Sequence, residues 1–85
     1  MQPEEMLALL KRQPFQPFRL HITGGPAIDV YYPQIHRVTR EVFVRGILDP
    51  ESVNSEWGPS PSAFTFLDWS WIERAEPLPA PQSTP

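Results

Sequence analysis

Residues Gln13–Pro33, QPFQPFRLHITGGPAIDVYYP, decide the fold. They hold two proline-phenylalanine steps, an alternating run from Phe18 to Ile22, the pair Gly24-Gly25, and a second alternating run that ends at Tyr32. Alternation of apolar and polar side chains marks a strand with one covered face, and glycines between two such strands mark a hairpin. A strict two-residue turn at Gly24-Gly25 sets Leu20 opposite Asp29, which brings a carboxylate onto the apolar face. One extra residue in the connection instead pairs Ile22 with Ile28, Leu20 with Val30 and Phe18 with Tyr32, and this is the predicted register. Pro26 has no N–H to give a ladder and belongs in the connection. Arg19, His21, Thr23, Asp29 and Tyr31 are left to meet water.

Working outward, the segment before Pro14 reads as a helix. Pro3 suits its first position, Glu4 and Glu5 sit at the positive end of the dipole, and Lys11 and Arg12 at the negative end. Met6, Leu7, Leu9 and Leu10 form an apolar stripe. So short a helix is marginal alone and must dock, here on the open end of the sheet, with Phe15 and Phe18 covering the junction. After Pro33, residues 35–38 and 42–47 read as short strands. Residues 48–62, rich in proline and polar side chains, read as a long loop. Ala63–Leu67 alternates again, Asp68 interrupts, and Trp69–Ala75 reads as a last strand after a kink. Pro77, Pro79, Pro81 and Pro85 make residues 77–85 a disordered, polyproline-like tail. The pattern predicts one α+β domain over residues 1–76, a short N-terminal helix on a strongly bent five-stranded antiparallel sheet or small barrel, Sm-like or SH3-like in outline.

Composition narrows the function classes. The chain has 85 residues and no cysteine, so neither disulfides nor thiolate metal sites support its small core. His21 and His36 have no partner at ligand spacing, and no cofactor is implied. Met6–Leu10 is too short for a signal-peptide core or a membrane span, which makes a soluble, cytoplasmic protein without membrane partners the expectation. His21 and Asp29 could approach one another, but no serine or cysteine nucleophile joins them. Gly24-Gly25 is not followed by a helix and cannot form a phosphate loop. The expectation is a protein that is not an enzyme.

Charge is unevenly spread along the chain. Between residues 11 and 45, Lys11, Arg12, Arg19, Arg37, Arg40 and Arg45 face only Asp29 and Glu41, a net of +4. Past that point Arg74 stands against Asp49, Glu51, Glu56, Asp68, Glu73 and Glu76, and the whole chain carries −3. Arg37, Arg40 and Arg45 could form a basic RNA-binding surface, yet an acidic protein lacks the positive field usual for phosphate-backbone binding. Among the aromatics, Trp69 and Trp71 read as core material, whereas no periodicity explains Trp57 in its polar loop. Trp57, Tyr31, Arg37, Arg40 and Arg45 are therefore the candidate partner contacts.

The run Pro14-Phe15-x-Pro17-Phe18-Arg19-Leu20-His21, followed by IDVYYP and the closing FLDWSWIERAEP, resembles a family of short uncharacterised bacterial proteins with a Pro-Phe-x-Pro-Phe-Arg-Ile/Leu-His signature. The resemblance spans most of residues 5–76. This chain departs from that pattern at Tyr32, where the family has histidine before proline, at Gly24 in place of an acidic turn residue, and in the insertion around residues 49–62. The order of elements is more distantly similar to Sm-like small barrels, including the bacterial RNA chaperone. Val30 replaces a glycine of the first Sm motif, and Phe66–Trp69 has no likeness to the basic segment that lines the bacterial RNA pore. Taken together, the residues point to a non-enzymatic binding or assembly module that meets a protein partner or its own copies through a sheet edge or the Trp57 loop. An Sm-like RNA-binding module is the alternative.

Overall fold

A computed structural model describes residues 1–79. It is an α+β arrangement of helix α1 (Pro3–Lys11) and strands β1 (Phe18–Ile22), β2 (Ile28–Val30), β3 (Arg37–Val38), β4 (Val42–Leu48), β5 (Pro61–Asp68) and β6 (Ile72–Pro77). Six strands replace the expected five. They form two three-stranded antiparallel sheets, ordered β2-β1-β6 and β3-β4-β5, and not the single bent sheet or closed barrel read from the pattern. The reason lies in the connections. Pro33–Ile35 coils into a single 3₁₀ turn between β2 and β3, and Trp69–Trp71 into another between β5 and β6, so no ladder runs from one sheet into the other.

Asp68 causes the second break. Its Oδ1 accepts from the Ser70 N–H at 2.9 Å and the Ser70 hydroxyl at 2.8 Å, which turns the chain at the point where the alternation fails. Trp69 then packs on Phe43, with ring centroids 5.9 Å apart, and its Nε1 donates to the Thr39 carbonyl at 3.0 Å. Trp71 is half exposed.

The hairpin β1–β2 buries the faces that the alternation marks, Phe18 and Leu20 against Ile28 and Val30, but not in the expected register. Leu20 lies opposite Ile28 and Phe18 opposite Val30, a slip of two residues. A slip of two preserves which face each side chain takes. The turn starts early: the Ile22 carbonyl accepts from the Gly25 N–H at 3.3 Å, and Gly24 supplies φ +71° at the turn's third position. Ile22, expected beside Ile28, pairs with Ile72 on the opposite edge of β1.

Helix α1 begins where Pro3 allows it, and the Gln2 N–H donates to Glu5 Oε1 at 3.3 Å. Met6 is fully buried in the core with Phe18, Leu20, Val30, Phe43, Trp69 and Ile72, while Leu7, part of the expected stripe, is 41% exposed. Phe15 meets Phe18 at 6.0 Å and closes the core below the helix. Strand β6 runs through Pro77, and Leu78 is buried with its N–H donated to the Pro17 carbonyl at 2.9 Å. Pro77 and Leu78 are thus held by the domain within residues 77–85, the span expected to be a disordered tail, and residues 80–85 of that span lie outside the described residues. Among the described residues, no helix is long and apolar enough to cross a membrane.

Candidate functional site

The water-facing side of the β2-β1-β6 sheet is crossed by its own cross-strand pairs. Arg19 stands opposite both Asp29 and Glu76, and its Nε donates to Asp29 Oδ1 at 2.7 Å. That hydrogen bond holds the Asp29 carboxyl below its usual range. His21, expected near Asp29, instead lies 2.7 Å from Glu76, whose carboxyl is lowered first by this hydrogen bond. Thr23 donates to Glu73 at 2.9 Å. Exposed pairs of this kind contribute little stability. Among the described residues, no group of three or more His, Asp or Glu is placed to hold a metal ion.

Tyr31 and Arg45 are brought together at a small depression that has His36 in its wall. Buried His36 accepts the Gly46 N–H at Nδ1, 3.1 Å away, and packs on Phe43 at 5.5 Å. Burial, aided by the charge of Arg45, lowers its pKa from 6.5 to about 4. A histidine that must shed its proton to fold contributes its full stabilisation above the unfolded pKa and loses it as the pH falls toward the folded value. Stability is therefore expected to drop on the order of 2 kcal/mol between pH 6.5 and pH 4. Urea midpoints across this window should fall more steeply for the wild type than for His36→Gln, which keeps only the smaller loss from carboxylates such as Asp29 and Glu76; equal slopes would show that His36 is not the group responsible.

The three candidate arginines do not share a face. Arg37 is opposite Val44 on the β3–β4 ladder, so Arg45, one position further, points to the other side of the sheet, and Arg40 lies in the exposed turn between the strands. Trp57 is 89% exposed in the connection between β4 and β5. This connection is closed at its base, where the Asp49 N–H donates to the Ser60 carbonyl at 3.0 Å. Buried Ser52 also bridges it, donating to the Asp49 carbonyl at 2.6 Å and accepting from the Ser60 N–H at 2.8 Å. Polar groups thus turn inward and the largest apolar side chain turns out.

The sequence pattern does not single out the most prominent feature, strand β5. Among the described residues it is an edge strand, paired only with β4. Phe64 and Phe66 stand on one of its faces, 51% and 64% exposed, beside Val44 on β4. The Thr39 N–H reaches the Val42 carbonyl at 3.1 Å and the Gly46 N–H reaches His36, so the even-numbered residues of β4 aim their backbone groups toward β3. Alternation then directs Phe43, Arg45 and Ile47 at their partners Leu67, Thr65 and Ala63. The backbone N–H and C=O groups of Phe64 and Phe66 consequently point out of the sheet.

The other edges are blunted in ways that β5 is not. Strands β2 and β3 have only three and two residues. Strand β6 carries Glu73, Arg74 and Glu76 and lies beside α1 across a shallow groove. From Pro61 to Leu67, β5 has no charged side chain at all. Long, uncharged, aromatic edges are the kind that proteins otherwise protect. The alternation of Phe64 and Phe66 is visible in the sequence, but alternation does not say which face is covered. No protein-family model, curated protein or solved structure matches the chain.

Proposed function

We propose that this chain is a non-enzymatic protein-binding module, cytoplasmic in location, whose contact surface is the β5 edge with its Phe64–Phe66 face. One observation carries the reading: two half-exposed phenylalanines on a strand that is uncharged from Pro61 to Leu67 and whose outward backbone groups have no neighbouring strand among the described residues. A strand added to such an edge takes affinity from main-chain hydrogen bonds and specificity from the alternating side chains. Trp57, in the segment leading into β5, supplies a further aromatic contact of the type that anchors interfaces. The RNA reading has weaker support, because Arg37 and Arg45 lie on opposite faces.

Photo-crosslinking from the surface itself tests this reading. Azidophenylalanine at position 66 keeps the aromatic ring of Phe66 and should yield a nuclease-resistant protein adduct in cells. The same probe at exposed Glu4 should yield none. Nuclease-sensitive adducts, or none from position 66, would overturn the proposal.

A further inference from the structure

We infer that the occupant of the β5 edge is a second copy of this chain, paired antiparallel through its own β5 about a two-fold axis at Thr65; the inference rests on the surface reading above. Three observations converge on this register. The first is extent. The β4–β5 ladder shifts register between Ile47 and Leu48 and Pro61 has no N–H, so the regular part of β5 starts at Ser62, while the Asp68–Ser70 turn ends it at Asp68. Thr65 is the midpoint of that span.

The second is hydrogen-bond parity. A two-fold axis at Thr65 sets Phe64 opposite Phe66 of the other copy and Ser62 opposite Asp68. These even-numbered positions are the ones whose backbone groups face outward, so they become the hydrogen-bonded pairs. A register offset by one residue would set outward groups against inward ones and form no ladder. The third is side-chain complementarity. Phenylalanine meets phenylalanine on one face, which is among the favourable cross-strand pairings. Thr65 meets Thr65 on the other, and the only charged residue of the span, Asp68, lies opposite Ser62 instead of another carboxylate. In a chain of net charge −3, this edge, uncharged from Ser62 to Leu67, is where two copies can approach without like charges in opposition. Pairing would join the two β3-β4-β5 sheets into one continuous sheet.

The absence of cysteine makes the register directly testable. Opposed residues of a non-hydrogen-bonded pair have Cα atoms about 4.5 Å apart, within the span of a disulfide. Purified Thr65→Cys should oxidise to a covalent dimer. Ala63→Cys alone should not, because its copies lie about 13 Å apart; mixed with Leu67→Cys it should form the heterodisulfide. The unsubstituted protein should shift from 9.8 kDa toward twice that mass with rising concentration in sedimentation equilibrium, and Phe66→Lys, checked for folding by circular dichroism, should abolish the shift. A wild type that stays monomeric up to about 1 mM overturns self-pairing, and an adduct between position 66 and a different protein would then show that the surface reading stands without it. A dimer in which the Ala63→Cys variant crosslinks to itself more readily than the Thr65→Cys variant overturns the register.

Discussion

Gly46→Ala is expected to destabilise the protein by about 3 kcal/mol or more, read as a lower urea midpoint at unchanged slope. A Cβ at this position would lie 2.1 Å from the Ile35 carbonyl oxygen and 3.0 Å from its carbon, and these are backbone atoms that no rotamer change can move. Either β4 bows away or the Pro33–Ile35 turn lifts. Lifting the turn unpacks buried Ile35 and pulls His36 from the Gly46 N–H, leaving that donor without its partner in a closed site. Gly24 provides the comparison. Its φ is +71° but nothing lies within 4 Å of where a Cβ would stand, so Gly24→Ala carries only the left-handed backbone cost of about 1 kcal/mol. A Gly46→Ala loss below about 0.5 kcal/mol would mean that the turn and the strand do not approach as closely as described.

That contact shows where sequence reading stops. A glycine within a strand can mark a close backbone approach, but nothing local to Val42–Leu48 says that the Pro33–Ile35 turn is what crosses it. The helix ends were readable because Pro3 and Pro14 act on their own backbone. The buried faces of β1 and β2 were readable because a period of two survives a slip of two residues. The slip itself was not, since Ile22 is drawn to Ile72 in β6, a partner that no short-range pattern reveals. The division into two sheets escaped for the same reason. It depends on Asp68 bonding to Ser70, a side-chain choice that signals an interruption but not the direction the chain then takes.

The candidate site divides along the same line. Trp57 stood out in sequence because its loop had no other use for it, and the structure leaves it exposed. Arg37, Arg40 and Arg45 were grouped by proximity in the chain, but strand alternation separates the first from the last. Phe64 and Phe66 do not stand out in the sequence, because phenylalanine in an alternating strand normally marks the core face. Here that role falls to Leu67 and Phe43 on the opposite side.

The largest expected change concerns the backbone of β5 itself. In dilute protein, the amides of Ala63, Thr65 and Leu67, which are directed at β4, should exchange slowly with deuterium, and those of Phe64 and Phe66 should exchange near the rate of exposed peptide. When the edge is occupied, each outward amide gains a partner, and its exchange should slow by about tenfold for every 1.4 kcal/mol of association free energy. Residue-resolved hydrogen exchange of the unmodified protein, measured over a concentration series that spans the change in mass, therefore tests the open edge most directly. The predicted result is an odd-even pattern along Ala63–Leu67 in dilute solution that disappears, with Phe64 and Phe66 becoming protected, as the mass rises. Protection of Phe64 and Phe66 already present in the monomer, or a mass that doubles while both amides still exchange freely, would contradict it.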